Sequence, residues 1–216
     1  MEKRLFKDAI YSGIAGMTKA FSHANRLEIL DLLANGEKTV EQIAAQTSVS
    51  VANASQHLQI LKNARLVSAR RQGTFIYYAL SGKKAYAAWK ALRNLALDLE
   101  PEVQRTMDQY RSESNSLPGC RYAELPDPLS IIFLDVRPRE EFISGHLENA
   151  LSIPMQELEE RISELPRHKT IITYCRGPFC TFADEAVAML KAKGYEALRL
   201  EESYLDIKLN ETQWNN

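Results

Sequence analysis

The chain has 216 residues, 45% of them hydrophobic and 25% charged, which suits one large or two small globular domains. No run reaches the roughly 18 apolar residues of a membrane span, and the start, MEKRLFKDAI, lacks the apolar core of a secretory signal, so a cytoplasmic protein without membrane contact is expected. The formal net charge of −1 divides unevenly: residues 1–115 hold 16 Lys+Arg against 11 Asp+Glu (+5) and the rest hold 11 against 17 (−6), which points nucleic acid toward the first half alone.

From Lys3 onward apolar residues recur at helical spacing, and Ile10, Ile14 and Met17 share a face. A second helix carries Leu27, Leu30 and Leu33 and is ended by the turn pair Asn35-Gly36. A short helix runs from Val40 to about Gln46, with Thr39 as N-cap and Gln42 three residues on. Thr47-Ser48-Val49-Ser50 breaks it, and Ser50 caps a further helix over about 51–64. Two helices joined by a short polar turn make a helix-turn-helix. Residues 66–71 and 74–80 then alternate with period two around Gln72-Gly73, a β-hairpin of the kind called a wing. Tyr86, Trp89, Leu92, Leu95 and Leu99 stripe a helix over 82–99, which Pro101 interrupts or restarts. The polar stretch 111–118 reads as a linker and puts the domain boundary near residue 115.

The helix over 51–64 is expected to present Ser50, Asn53, Ala54, Ser55, Gln56, His57 and Gln59 outward, with Leu58, Ile60 and Leu61 facing in. Small polar groups on one helical face can bond base edges and phosphates in a major groove. Arg70 and Arg71 precede the wing turn, where they can meet phosphates or the minor groove, and Lys62 and Arg65 add positive charge nearby. The run VSVANASQHLQILKNARLVSARRQGTFIYYALS resembles the helix-turn-helix and wing of the ArsR-type winged-helix repressors, with likeness over roughly residues 15–100. That resemblance implies a homodimer built on the first and last helices of the domain, bound to duplex DNA at an imperfect inverted repeat. Arg65 departs from the family, which usually has Gly after the helix. Many members bind metals or arsenite through cysteines in these helices. Here no Cys precedes Cys120, and His23 and His57 are the half's only histidines, so no metal and no cofactor are expected there.

The second half alternates strands with helices. Residues 131–136, 171–174 and 197–200 read as buried strands and 181–193 as a helix, which implies a mainly parallel α/β sheet. Its cysteines, Cys120, Cys175 and Cys180, are odd in number, which argues against a disulfide scaffold.

The segment YCRGPFCTFADEAVAMLKAKGY carries the most chemistry. A strand ends at Tyr174, Cys175 follows, then Arg176, Gly177, Pro178, Phe179 and Cys180, and a helix begins near Thr181. Such a junction directs backbone N–H groups and the positive helix end at one centre, which would hold Cys175 as a thiolate. Arg176 adds a cation, Gly177 permits the tight path, and Pro178 removes one N–H. The same residues also fit two small buried cysteines flanking a turn. LDVRPREEFISGHLENALSIP followed by IITYCRGPFC is similar to the rhodanese, or single-domain sulfurtransferase, family over roughly residues 118–207. The resemblance implies that Cys175 takes sulfur from thiosulfate or a persulfide, becomes a persulfide and passes the outer sulfur on, while loop N–H groups hold the anionic sulfur. It also implies structural roles for Asp135, Arg137, Glu140 and His146. The six-residue loop matches the sulfur-handling members rather than the phosphatase-like ones. Cys180 departs from the Arg or other polar residue common there, and 201–205 replace the usual Gly-rich turn and Trp. Cys180 could attack a persulfide on Cys175 and release sulfide.

The expected chain thus has two domains. Residues 1–115 form a mainly α winged helix-turn-helix that binds DNA and dimerises, and 118–216 form an α/β rhodanese-like domain with a mainly parallel sheet. Three functions stay open: a regulator, in the sense of a repressor, whose second domain senses persulfide or polysulfide at Cys175 and Cys180; a thiosulfate or persulfide sulfurtransferase with an autoregulatory DNA-binding half; and an arsenite or soft-metal sensor using Cys175 and Cys180. Cys120 follows the linker and is expected to be unpaired and incidental, unless it joins Cys175 and Cys180 in the last of these readings.

Overall fold

Capping chemistry and hydrophobic spacing set the elements of the first half. The computed structural model describes residues 2–113 and 119–213, with side chains to 210, so most of the linker expected over 111–118 lies outside the described residues. The chain divides into two compact units, Met1–Ala91 and Leu92–Asn216.

The first unit begins with helix α1 (Lys3–Thr18), none of whose residues is buried. Helix α2 (Ala24–Leu33) starts where the His23 ring nitrogen accepts the Asn25 N–H. A two-residue strand β1 (Lys38–Thr39) leads into α3 (Val40–Gln46), and the expected Thr39/Gln42 capping box is present with both reciprocal hydrogen bonds. Helix α4 (Val51–Asn63) starts where Ser50 Oγ accepts the Asn53 N–H at 3.3 Å. Arg65, standing in place of glycine, turns the chain out of α4 with φ +59, and the Leu66 N–H closes back on the Leu61 carbonyl. Strands β2 (Val67–Gln72) and β3 (Phe75–Leu80) pair antiparallel around Gly73 at φ +61, and β1 adds to the far edge of β3. The core holds Ile29, Leu30, Ile43, Ala54, Leu58 and Leu61, all fully buried. Helix α5 (Lys83–Leu99) ties on through Trp89, whose indole N–H donates to Asp31 at 3.0 Å.

The division between units falls inside α5, whereas the sequence puts its boundary near residue 115. The physical reason is that Arg93 of α5 and Arg111 of α6 (Pro101–Glu113) bond to residues of the α/β fold. In that fold β4 (Ile131–Asp135), β5 (Leu151–Ser152), β6 (Thr170–Tyr174) and β7 (Ala197–Arg199) form a parallel sheet in the order β5-β4-β6-β7. Helices α7 (Arg139–Ser144), α8 (Leu158–Arg161) and α9 (Phe182–Ala192) link the strands, and α10 (Tyr204–Gln213) follows β7. One apolar cluster, including Leu134, Ile171, Ala186, Val187 and Leu190, packs α9 against the sheet. A second, with Ile131, Leu147, Ile172, Tyr174 and Ile207, forms separately from it. Strands buried on both faces explain the continuous apolar runs seen in the sequence. Strands β1 and β5 and helix α10 are not legible there: the strands are two residues long, and α10 has almost no amphipathic stripe.

Candidate functional site

Two constellations were expected, one on α4 with the wing and one at the junction of β6 and α9. On α4, Ser50, Asn53, Ser55, Gln56 and Gln59 are exposed, as expected. Three residues need correction. Ala54 is fully buried, since it falls on the same helical face as Leu58 and Leu61. Ile60 is 44% exposed, because it lies off that face. His57 is half-buried, with its ring centroid 4.5 Å from that of His23 and its Nδ1 enclosed without a hydrogen-bond partner. Burial, then the nearby His23 and Arg26, hold the His57 pKa below its ordinary value. His57 is therefore largely a packing residue between α4 and the start of α2.

In the wing, Arg70 reaches back to Glu37 through two hydrogen bonds, one of them Nε to Oε2 at 2.7 Å, and its guanidinium lies 5.0 Å from the Tyr77 ring centroid. Hydrogen bonding from Arg70 pulls the Glu37 carboxyl below the usual range. Arg71 donates to the Gly73 carbonyl at the turn. Arg70 and Arg71 are both exposed, and so are Phe75 and Ile76 at 56% and 47% exposure, but the Arg70 guanidinium is engaged by Glu37 away from the turn.

At the second site, β6 delivers Cys175 from the buried end of the sheet, where it is 2% exposed. A disulfide joins Cys175 to Cys180, with their Cα atoms 6.2 Å apart. The loop between them turns on Gly177 at φ +132, and the Cys180 N–H bonds to the Gly177 carbonyl. Pro178 has no N–H, and that of Cys180 is spent in the turn, so the anion cradle is smaller than the sequence implies. Thr181 precedes α9 with no side-chain cap. Phe179 is 43% exposed at the loop tip.

Arg176 is mostly buried, with its side chain 14% exposed. It makes a bidentate ion pair with Glu141 of α7, 2.6 Å at the closest approach, with that carboxylate 1% exposed. The expected role of Glu140 passes to Glu141: Glu140 is exposed, one residue off the inward face of α7. Asp135 and Arg137 do form a buried pair at 2.6 Å, and Arg137 also donates to the Gly145 carbonyl. Burial and then the Asp135 carboxylate push the Tyr174 phenol above its ordinary range, and its oxygen accepts the Leu147 N–H. His146 stacks on Phe142 with centroids 3.8 Å apart.

Residues 201–205, divergent in sequence, turn out to build a cap. Ser203 and Asp206 exchange hydrogen bonds at the start of α10, and Arg93 pairs with Asp206 at 2.8 Å. Arg111 donates to the Pro178 carbonyl at 3.1 Å. Neither Arg93 nor Arg111 carries a local sequence signal, because their partners lie 113 and 67 residues away.

Fold and site together define a winged helix-turn-helix regulator carrying a rhodanese-like domain. Residues 23–69 match the bacterial regulatory proteins of the arsR family, and residues 121–210 match the rhodanese-like domain. The chain is 35% identical over 204 residues to the HTH-type transcriptional regulator Rv0324 of Mycobacterium tuberculosis, covering 94% of this chain and 90% of that one. It is 31% identical over 71 residues to a sulfurtransferase of Allochromatium vinosum, covering 33% of this chain and 64% of that one. A solved homodimeric winged helix-turn-helix DNA-binding domain of Mycobacterium bovis is 38% identical, covers 46% of this chain and 91% of that one, and has a TM-score of 0.43. The chain belongs to the ArsR family of transcriptional regulators, in a form with a carboxy-terminal rhodanese-like domain. Among the described residues no helix is long and apolar enough to cross a membrane.

Proposed function

We propose that the chain is a cytoplasmic DNA-binding repressor that works as a homodimer on an imperfect inverted repeat, and that its rhodanese-like domain senses reactive sulfur at Cys175 with Cys180 as the resolving thiol. The observation that carries the sensing is the pairing of these two cysteines across the loop at the end of β6, where a sulfur atom on one can be displaced by the other. An operator contact by Ser50, Asn53, Ser55, Gln56 and Gln59 is supported by their shared exposure on α4. The homodimer is supported by α1, whose Leu5, Phe6, Ile10, Ile14 and Met17 are all about half exposed or more, an apolar face of a size that marks an interface. Intact-mass spectrometry of the reduced full chain after inorganic polysulfide should show loss of two hydrogens, with the bond mapped to Cys175–Cys180. A Cys175→Ser chain that gains the same mass change would refute the assignment.

A sulfurtransferase role is favoured by one observation, the similarity to the Allochromatium vinosum sulfurtransferase. The engagement of Arg176 by Glu141 weighs against thiosulfate, a dianion that needs a cation in the loop. Thiosulfate:cyanide turnover well above background by the full chain would favour the enzyme over the sensor.

A further inference from the structure

Two arginines from successive helices rest on successive residues of the loop that the cysteines bracket. Arg111 of α6 donates through Nη2 to the Pro178 carbonyl at 3.1 Å. Arg93 of α5 lies against Gly177, where a Cβ built on that glycine would stand 3.5 Å from Nη1, and it is anchored by Asp206 at the start of α10. Both loop residues lie inside the ring closed by the Cys175–Cys180 bond. That ring contains six residues, and a ring so small has few backbone conformations. Its hinge is Gly177, at φ +132, a conformation open to glycine and costly for other residues. Opening the bridge lifts that restriction from the residues between the cysteines, Pro178 among them.

We infer that Arg111 reads the state of the cysteine loop, holding α6 on the Pro178 carbonyl when the loop is bridged and losing that acceptor when it opens. The signal then passes into α5 and α6. The same α5 that carries Arg93 carries Trp89 one turn earlier, bonded to Asp31 of α2. The inference rests on the sulfur-sensing reading and names the element that the sensor moves.

The chemistry balances with one reagent, an inorganic polysulfide or a hydropersulfide. The Cys175 thiolate takes the sulfane sulfur from the donor, whose S–S bond breaks and leaves a thiol or a shortened polysulfide. The Cys180 thiolate then attacks Sγ of Cys175, the Sγ–outer sulfur bond breaks, and the outer sulfur departs as hydrosulfide with the electron pair. The two cysteine thiols lose two electrons, and the sulfane sulfur gains them.

The test compares the full wild-type chain with Arg111→Gln and Arg111→Lys. DNA affinity is measured by fluorescence anisotropy, before and after inorganic polysulfide, on a duplex selected from a random pool. Intact mass follows the bridge in the same samples. The wild type is expected to change its Kd by about tenfold on treatment. Arg111→Gln is expected to form the bridge to the same extent and to bind DNA normally when reduced, yet to change its Kd less than about twofold on bridging. Arg111→Lys, which keeps one charged donor, should recover part of the response. A response in Arg111→Gln equal to that of the wild type would overturn the inference and leave the sensing intact. Absence of a bridge in the treated wild type would overturn both. Failure of Arg111→Gln to bind DNA when reduced, with Arg111→Lys responding no differently from the wild type, would make Arg111 a structural residue and also overturn it.

Discussion

Arg65 shows how a single residue can hold a turn against its own preference. It leaves α4 at φ +59, where a side chain costs about 1 kcal/mol that glycine avoids. Glycine gives back part of this through greater freedom of the unfolded chain. Arg65→Gly is therefore expected to stabilise the first unit by a few tenths to about 1 kcal/mol, read as a higher urea midpoint with unchanged slope. His57 makes the opposite kind of statement. Its folded-state pKa lies below the ordinary 6.5, chiefly through burial. Below 6.5 the unfolded chain binds a proton that the folded chain resists, so stability is lost as pH falls through that value. Trp89 fluorescence in a Trp214→Phe chain should show the urea midpoint falling between pH 7.5 and 5.5. The fall should be smaller in His57→Gln. An equal fall in both would assign the acid sensitivity elsewhere.

At the scale of elements, α4 and α1 each present a surface that the described chain leaves open. Asn53 and Gln56 lie on the exposed face of α4, so Asn53→Ala and Gln56→Ala should each weaken specific DNA binding by about 1–3 kcal/mol and relax base preference, with little loss of fold stability. Ile14 is 55% exposed in the middle of α1. Ile14→Asp should yield a folded monomer in sedimentation velocity, and a persistent dimer would move the interface off α1. These elements were legible in the sequence because their signals are local. Capping pairs at Thr39/Gln42 and Ser50, turn chemistry at Gln72-Gly73 and the strand–loop–helix around Cys175 each sit within a few residues. Finer placements failed where two adjacent residues compete for one inward position. Ala54 and Ile60 changed places with respect to solvent, and Glu141 rather than Glu140 took the buried site, since a shift of one residue rotates a helix position by about 100°. The partners of Arg70, Arg93, Arg111 and Arg176 were not legible at all. Glu37, Asp206, the Pro178 carbonyl and Glu141 each lie 33 or more residues from the arginine they bind, and no periodicity encodes a contact at that distance.

For the whole molecule, the central claim is that a sulfur event at one cysteine loop is read as a change in DNA binding. The loop's own cation, Arg176, is committed to Glu141, whereas the cations of α5 and α6 rest on the loop from outside. Such an arrangement suits a relay better than turnover, because the groups around the cysteines fix backbone positions instead of gripping a substrate. The most direct measurement is the DNA affinity of the reduced full chain and of Cys175→Ser, each with and without inorganic polysulfide, at one fixed salt concentration. The account predicts that the wild type changes Kd by about tenfold, reverses on reduction, and that Cys175→Ser holds its reduced value throughout. An equal change in Cys175→Ser, or no change in a wild type shown by mass to be bridged, would contradict it.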